Sequence, residues 1–214
     1  NVALYLLQRM KIIANHKHVP FGPYVAKMDP DPDFCKRLLE LGKTLTTKHN
    51  KHLAGALEYE YSYDLKKDSW IEEGFEICIN TWISGFRAFS GDTKFNPQYK
   101  LEPLWINFQK AGEYNPVHTH PGCNLSFVLF LEVPKEMLEE KRIIRGAPPG
   151  YTGFLYGEDN YGFITHRIIE PQENVLYMFP SHLRHYVAHF NSKVTRTSVS
   201  GNIKFTDTPP NEKS

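Results

Sequence analysis

The chain has 214 residues, 41% hydrophobic and 23% charged, with a formal net charge of +1, the proportions of an ordinary globular protein with one buried core. This balance offers neither a basic stripe for nucleic acid nor a polybasic face for an anionic membrane, so neither partner is expected. Its three cysteines (Cys35, Cys78 and Cys123) stand far apart with no Cys-x-x-Cys pair, which argues against a disulfide framework or structural zinc and fits a reducing compartment, the cytoplasm.

In chain order, the apolar run Asn1–Leu7 is too short to span a bilayer and is followed by no small-residue cleavage pattern, so it reads as an N-terminal strand. Asp31-Pro32-Asp33 is a helix start, and Phe34, Leu38, Leu39 and Leu41 give that helix an apolar face through Thr46. A second helix is capped at Asp68 or Ser69. Its apolar residues Trp70, Ile71, Phe75, Cys78, Ile79, Trp82, Ile83 and Phe86 recur at helical spacing up to Gly91. Such a stripe predicts packing on a sheet rather than a cofactor site.

From Leu101 the pattern changes to short apolar runs between turn residues: Leu104–Gln109, Leu125–Val133, Lys141–Arg145, Tyr161–Ile169, Asn174–Phe179, Tyr186–His189 and Thr197–Phe205. Many short strands at this spacing predict an antiparallel sandwich or jelly roll. The expected organisation is a single domain over 1–214. Within it, 1–100 supply a strand and bracing helices, 101–205 the jelly-roll core, and 206–214 a polar tail.

Two segments carry chemistry. Tyr114–Gly122 contains His118 and His120 at i and i+2, which in extended chain project to one face and can reach one ion. Alone, this pair is weak. The second segment, Phe179–Val187, takes a strand through Pro180 and a short turn to His185, a third imidazole at the opening of the next strand. Three imidazoles suit iron, zinc, copper or nickel alike. His182 in the turn and His189 farther along read as bystanders, and Glu113 is too far upstream to share a strand end with His118. Beyond His185 comes Arg196, whose planar fork suits a carboxylate, with Ser198 at i+2 on the same face.

Taken together, His118, His120, Pro121 and Gly122, then Leu125 and Ser126, then Phe179, Pro180, Ser181, Leu183, His185 and Val187, then Arg196, Ser198, Val199, Ser200 and Asn202 resemble the 2-oxoglutarate/Fe(II)-dependent oxygenase superfamily, most closely its branch in marine bacteria and their phages. The likeness runs from about Trp105 to Lys204. It implies a double-stranded β-helix, a cupin-like jelly roll, with Fe(II) on His118, His120 and His185. The cosubstrate 2-oxoglutarate would meet Arg196 and Ser198, with Asn107 or Ser126 assisting, and O2 would take the remaining metal position. It further implies hydroxylation of a prime substrate with release of succinate and carbon dioxide, a peptidyl side chain (prolyl or asparaginyl) being preferred by analogy. If the gene is phage-borne, the compartment is the host cytoplasm. One position departs from the pattern: most of the superfamily has Asp or Glu where this chain has His120. Either His120 is the third ligand, or water replaces it, as in the aspartyl/asparaginyl β-hydroxylases that the pattern also resembles. The rival readings are a cupin-type metalloenzyme that uses no 2-oxoglutarate, which leaves Arg196 without a role, and a non-catalytic jelly-roll binding or virion protein. Trp105, Tyr114, Tyr151, Phe154 and Tyr156 are candidate cleft aromatics.

Overall fold

The computed structural model describes residues 21–49, 55–141 and 147–206. The strand expected at Asn1–Leu7, nearly all of the Lys141–Arg145 run and nearly all of the tail lie outside the described residues.

Helix α1 spans Pro32–Gly42, and the Asp31 side chain caps it by accepting from Asp33 N at 2.7 Å and Phe34 N at 3.1 Å. It stops short of Thr46 because Thr44, Thr46 and Thr47 put β-branched residues where the next turn would be. Helix α2 spans Trp70–Ser90, buries Ile71, Phe75, Cys78, Ile79, Trp82 and Ile83, and ends on Gly91 at φ 77°, a left-handed cap that glycine adopts without steric cost. A four-residue helix, α3, follows at Lys135–Leu138. No helix among the described residues is long and apolar enough to cross a membrane.

Among the described residues, eleven strands form two antiparallel sheets. They are β1 Ala26–Met28, β2 Glu60–Ser62, β3 Tyr99–Leu101, β4 Trp105–Gln109, β5 Asn115–His118, β6 Leu125–Glu132, β7 Thr152–Leu155, β8 His166–Ile169, β9 Leu176–Pro180, β10 Arg184–Val187 and β11 Arg196–Phe205. The large sheet has the order β1-β9-β6-β11-β4-β2, with β3 also on β11, and the small sheet the order β5-β10-β7-β8. This is the expected jelly roll with bracing helices. Of the run Tyr161–Ile169 only the second half is strand. Tyr161, Phe163 and Ile164 are exposed in a loop instead, so apolar composition misled where no packing partner exists.

Strand β11 shows how the layers divide. Val199 and Ile203 point outward into the core that includes Leu38, Ile71, Phe75 and Ile79 of the two long helices. The alternate residues Arg196, Ser198, Ser200 and Asn202 point inward to a cavity between the sheets, as the two-residue period of a strand requires. Ten residues of one strand thus supply both a helix-facing apolar surface and a polar cavity wall.

Candidate metal centre

The three histidines come together. Strand β5 sits at the edge of the small sheet, where Pro116 costs no ladder hydrogen bond, and its last residue His118 is the cross-strand partner of His185 on β10. The ring centroids of His118 and His185 are 4.2 Å apart. His120 lies two residues beyond the strand end, so a strand's side-chain alternation does not place it. Its backbone N–H donates to Ser181 O at 2.9 Å. The buried Ser181 hydroxyl donates to Cys123 O at 2.6 Å, and Cys123 Sγ donates to His120 O at 3.2 Å. One ligand-capable atom from each histidine lies within 4.8 Å of the other two.

Backbone carbonyls fix which nitrogen faces inward. His118 Nδ1–H donates to Pro116 O at 2.7 Å and His185 Nδ1–H donates to Leu183 O at 2.8 Å. Because a carbonyl only accepts, each Nε2 is left with its lone pair free for a metal. His120 Nε2 stands 3.3 Å from His185 Nε2. Burial, and then the proximity of His118, lowers His120 to about 4 and His185 to about 3, and burial also lowers His118. The cluster is neutral at physiological pH, the form that binds metal.

The histidines open into a cavity of about 500 Å³ between the sheets, a volume suited to a small-molecule cosubstrate. Arg196 is buried in its wall at 2% exposure. Its Nη1 donates to Gln109 Oε1 at 3.1 Å and its guanidinium lies 4.8 Å from the Phe130 ring. Nε and Nη2 have no partner, and no carboxylate among the described residues pairs with it. Burial lowers this group to about 10, still charged at neutral pH. The orphaned groups concentrate here: of six buried side-chain atoms without a partner among the described residues, all but Trp82 Nε1 belong to cavity-lining residues. Such concentration marks a site built for a polar ligand.

Asn107 borders the cavity, and its Nδ2 donates to Ser198 O at 3.3 Å and Ser200 Oγ at 3.1 Å, with Ser198 Oγ at 3.5 Å. Ser126 is set back from the cavity. Its hydroxyl donates to Asn202 Oδ1 at 2.7 Å, and Asn202 rather than Ser126 lines the space, because the longer side chain covers it. Among the candidate aromatics, Trp105 borders the cavity and stacks on His49 at 4.8 Å, whereas Tyr114 and Tyr156 are exposed and Phe154 packs on Phe179 in the core. His182 and His189 are exposed and outside the cluster. The Glu113 carboxylate accepts from Glu58 N and Lys110 N. Ser181 entered the sequence reading only as part of the resemblance, and Gln109 and Glu60 were not singled out by sequence. Gln109 could have been, since it shares the inward face of β4 with Asn107. Glu60 could not, since β2 is three residues long and carries no pattern.

Residues 103–202 match the family model described as "Putative 2OG-Fe(II) oxygenase", the segment that holds all three histidines and Arg196. The match covers just under half of the chain and makes this segment similar to that oxygenase family. The chemistry of that family uses Fe(II), 2-oxoglutarate and O2, and the neutral imidazoles and unpaired guanidinium suit those groups. No curated protein matches the sequence. Similar solved structures are a viral collagen prolyl hydroxylase of Paramecium bursaria chlorella virus-1 in complex with 2-oxoglutarate (13% identity, 88% of this chain and 100% of that one, TM-score 0.56); an oxidoreductase of the 2OG-Fe(II) oxygenase family from Burkholderia pseudomallei (12%, 99% and 95%, 0.57); and a prolyl-4-hydroxylase from Pseudomonas putida (10%, 85% and 92%, 0.52). At these identities the likeness is one of fold.

Proposed function

We propose that the domain hydroxylates a peptidyl side chain, with Fe(II) on His118, His120 and His185 and the far carboxylate of 2-oxoglutarate on Arg196. The observation that carries the cosubstrate assignment is the buried Arg196 guanidinium with two unmade donors in the wall of the histidine cavity. A buried cation without a counter-ion is costly, and a bidentate carboxylate satisfies both charge and hydrogen bonds. When bound, iron and 2-oxoglutarate activate O2 and yield succinate and carbon dioxide.

The chain's own residues bind, orient and exclude water. Gln109 holds one edge of Arg196 and Phe130 lies against its face, leaving the other donors presented to the ligand. Ser198 and Asn107 extend that polar floor. Phe179, 4.8 Å from the His185 ring, and Phe154 behind it seal the metal from the core side. The peptidyl substrate rests on the prolyl hydroxylases among the structural neighbours and on a cavity that opens at the surface.

Anaerobic addition of Fe(II) and 2-oxoglutarate tests the cosubstrate reading. A metal-to-ligand charge-transfer absorption that needs both additives is expected. A protein that binds Fe(II) but never develops this band is a metalloprotein of another kind. Proline- and asparagine-containing peptides, followed by mass spectrometry for the gain of one oxygen atom, test the substrate class.

A further inference from the structure

Glu60 is the one acidic residue fully buried among the described residues, at 2% exposure, and it lines the cavity. Strand pairing puts it there. Glu60 is the cross-strand partner of Asn107, and Asn107 of Ser198, so all three share a row on the inner face. Its Oε2 has no partner. Burial, then the nearby Glu113, raises its carboxyl to about 7.

We propose that Glu60 is the counter-charge of a three-histidine metal site, ionised when metal and 2-oxoglutarate are both bound. This rests on the assignment of His120 as a ligand and of Arg196 as the carboxylate partner. The argument is one of charge. Iron brings two positive charges and Arg196 one, the cosubstrate brings two negative ones, and neutral imidazoles bring none, so one positive charge stays unmatched in a buried cavity. The superfamily's usual carboxylate at the position of His120 would cancel it. Here Glu60 is the buried acid available to do so.

The groups around Glu60 leave that role open to it. From β4 come the neutral Asn107 and Gln109, and from β11 Ser198 and the cationic Arg196. Glu113, the acid that raises Glu60, spends its own carboxylate on Glu58 N and Lys110 N, and Lys110 sits over the Tyr59 ring. The His49 backbone N–H donates to Glu60 O, not to the carboxylate. The cavity is also lined by the three histidines, by the partly exposed Glu102 and by the exposed Lys204. A metal ion arriving in this space stabilises the Glu60 anion and displaces its proton.

The test uses whole protein, Mn(II) as a redox-inert metal, and 2-oxoglutarate, without turnover. Calorimetric titration in two buffers of different ionisation enthalpy counts protons released on loading. At about pH 6, below the Glu60 carboxyl, close to one proton is expected, falling toward none at about pH 8.5. Glu60→Gln abolishes this release and weakens loading roughly ten- to hundredfold, the scale of one charge acting across a cavity at an effective dielectric of ~20. Adding His120→Asp to Glu60→Gln restores affinity, because the charge returns by another route. The inference is overturned if wild type releases no proton at about pH 6. It is equally overturned if folded Glu60→Gln loads like wild type and only its KM for a peptide rises, which would make Glu60 a substrate contact. Absence of the Fe(II)/2-oxoglutarate band in wild type removes the underlying assignment and the inference with it. An intact band beside an unaffected Glu60→Gln removes the inference alone.

Discussion

Replacing Arg196 by methionine separates ligand binding from folding, because the two should move in opposite directions. The guanidinium is buried with Nε and Nη2 unpaired, and burial lowers it from 12.5 to about 10. At 1.36 kcal/mol per unit, keeping it charged costs the ligand-free fold about 3 kcal/mol. A depressed base penalises the folded state at every pH below its folded value, so this cost is present at neutral pH and lifts only as pH rises above about 10. Methionine removes the cost while filling much of the volume. Against that gain stands the orphaned Gln109 Oε1, a penalty of about 1–3 kcal/mol, and the lost contact with Phe130. Ligand-free Arg196→Met is therefore expected to unfold at a temperature no lower than wild type.

Cosubstrate binding behaves in the opposite way. Losing two charge-assisted hydrogen bonds to a carboxylate costs roughly 2–5 kcal/mol, or about thirty- to several-thousandfold in 2-oxoglutarate affinity. Thermal unfolding with Mn(II), with and without 2-oxoglutarate, reads both quantities. Wild type should gain stability with 2-oxoglutarate and Arg196→Met should gain almost none, while Mn(II) still binds because Arg196 is not a ligand. Lysine should rescue only part of the binding, since an ammonium makes no planar two-bond contact. If Arg196→Met binds 2-oxoglutarate as wild type does, the cosubstrate sits elsewhere and the reasoning about the buried guanidinium fails.

His185→Ala should abolish stoichiometric iron binding and turnover, since it removes the ring that faces both other histidines; retained iron by metal analysis would refute its role. His120→Asp should keep or tighten iron binding if His120 is a ligand, whereas equal iron content in the Ala and Asp variants would place water in that position. Ser181→Ala should cost about 1–2 kcal/mol and weaken metal binding more than a distant core change of equal cost, because it frees the loop that aims His120; unaltered metal affinity would refute that coupling. The metal-free protein should lose stability as pH falls below about 6.5, since His120 and His185 stay neutral in the fold down to about 4 and about 3 while the unfolded chain takes up protons. Because the raised Glu60 carboxyl titrates over the same range with the opposite sign, the test uses Glu60→Gln, in which a flat stability profile from pH 7 to 5 by chemical denaturation would contradict the buried, neutral cluster.

Much of this protein is determined locally. The stripe from Ile71 to Ile83 sets α2, Asp31 starts α1, and the residues that line the cavity from β11 alternate with those that pack on the helices. The histidines and Arg196 stand out because their side chains cannot be buried without a partner, so their presence in an otherwise apolar strand pattern is itself a signal. Tertiary structure decided the rest. The three-residue strands β1, β2 and β3 lack a period long enough to read, and they form because an existing sheet offers them an edge. His120 is aimed by a backbone hydrogen bond to Ser181, across a turn that no local spacing encodes. Glu60 meets Asn107 through pairing between segments 47 residues apart. Sequence fixes which groups need satisfying; long-range pairing decides which of them meet, because a contact's free energy exists only once both strands are in register.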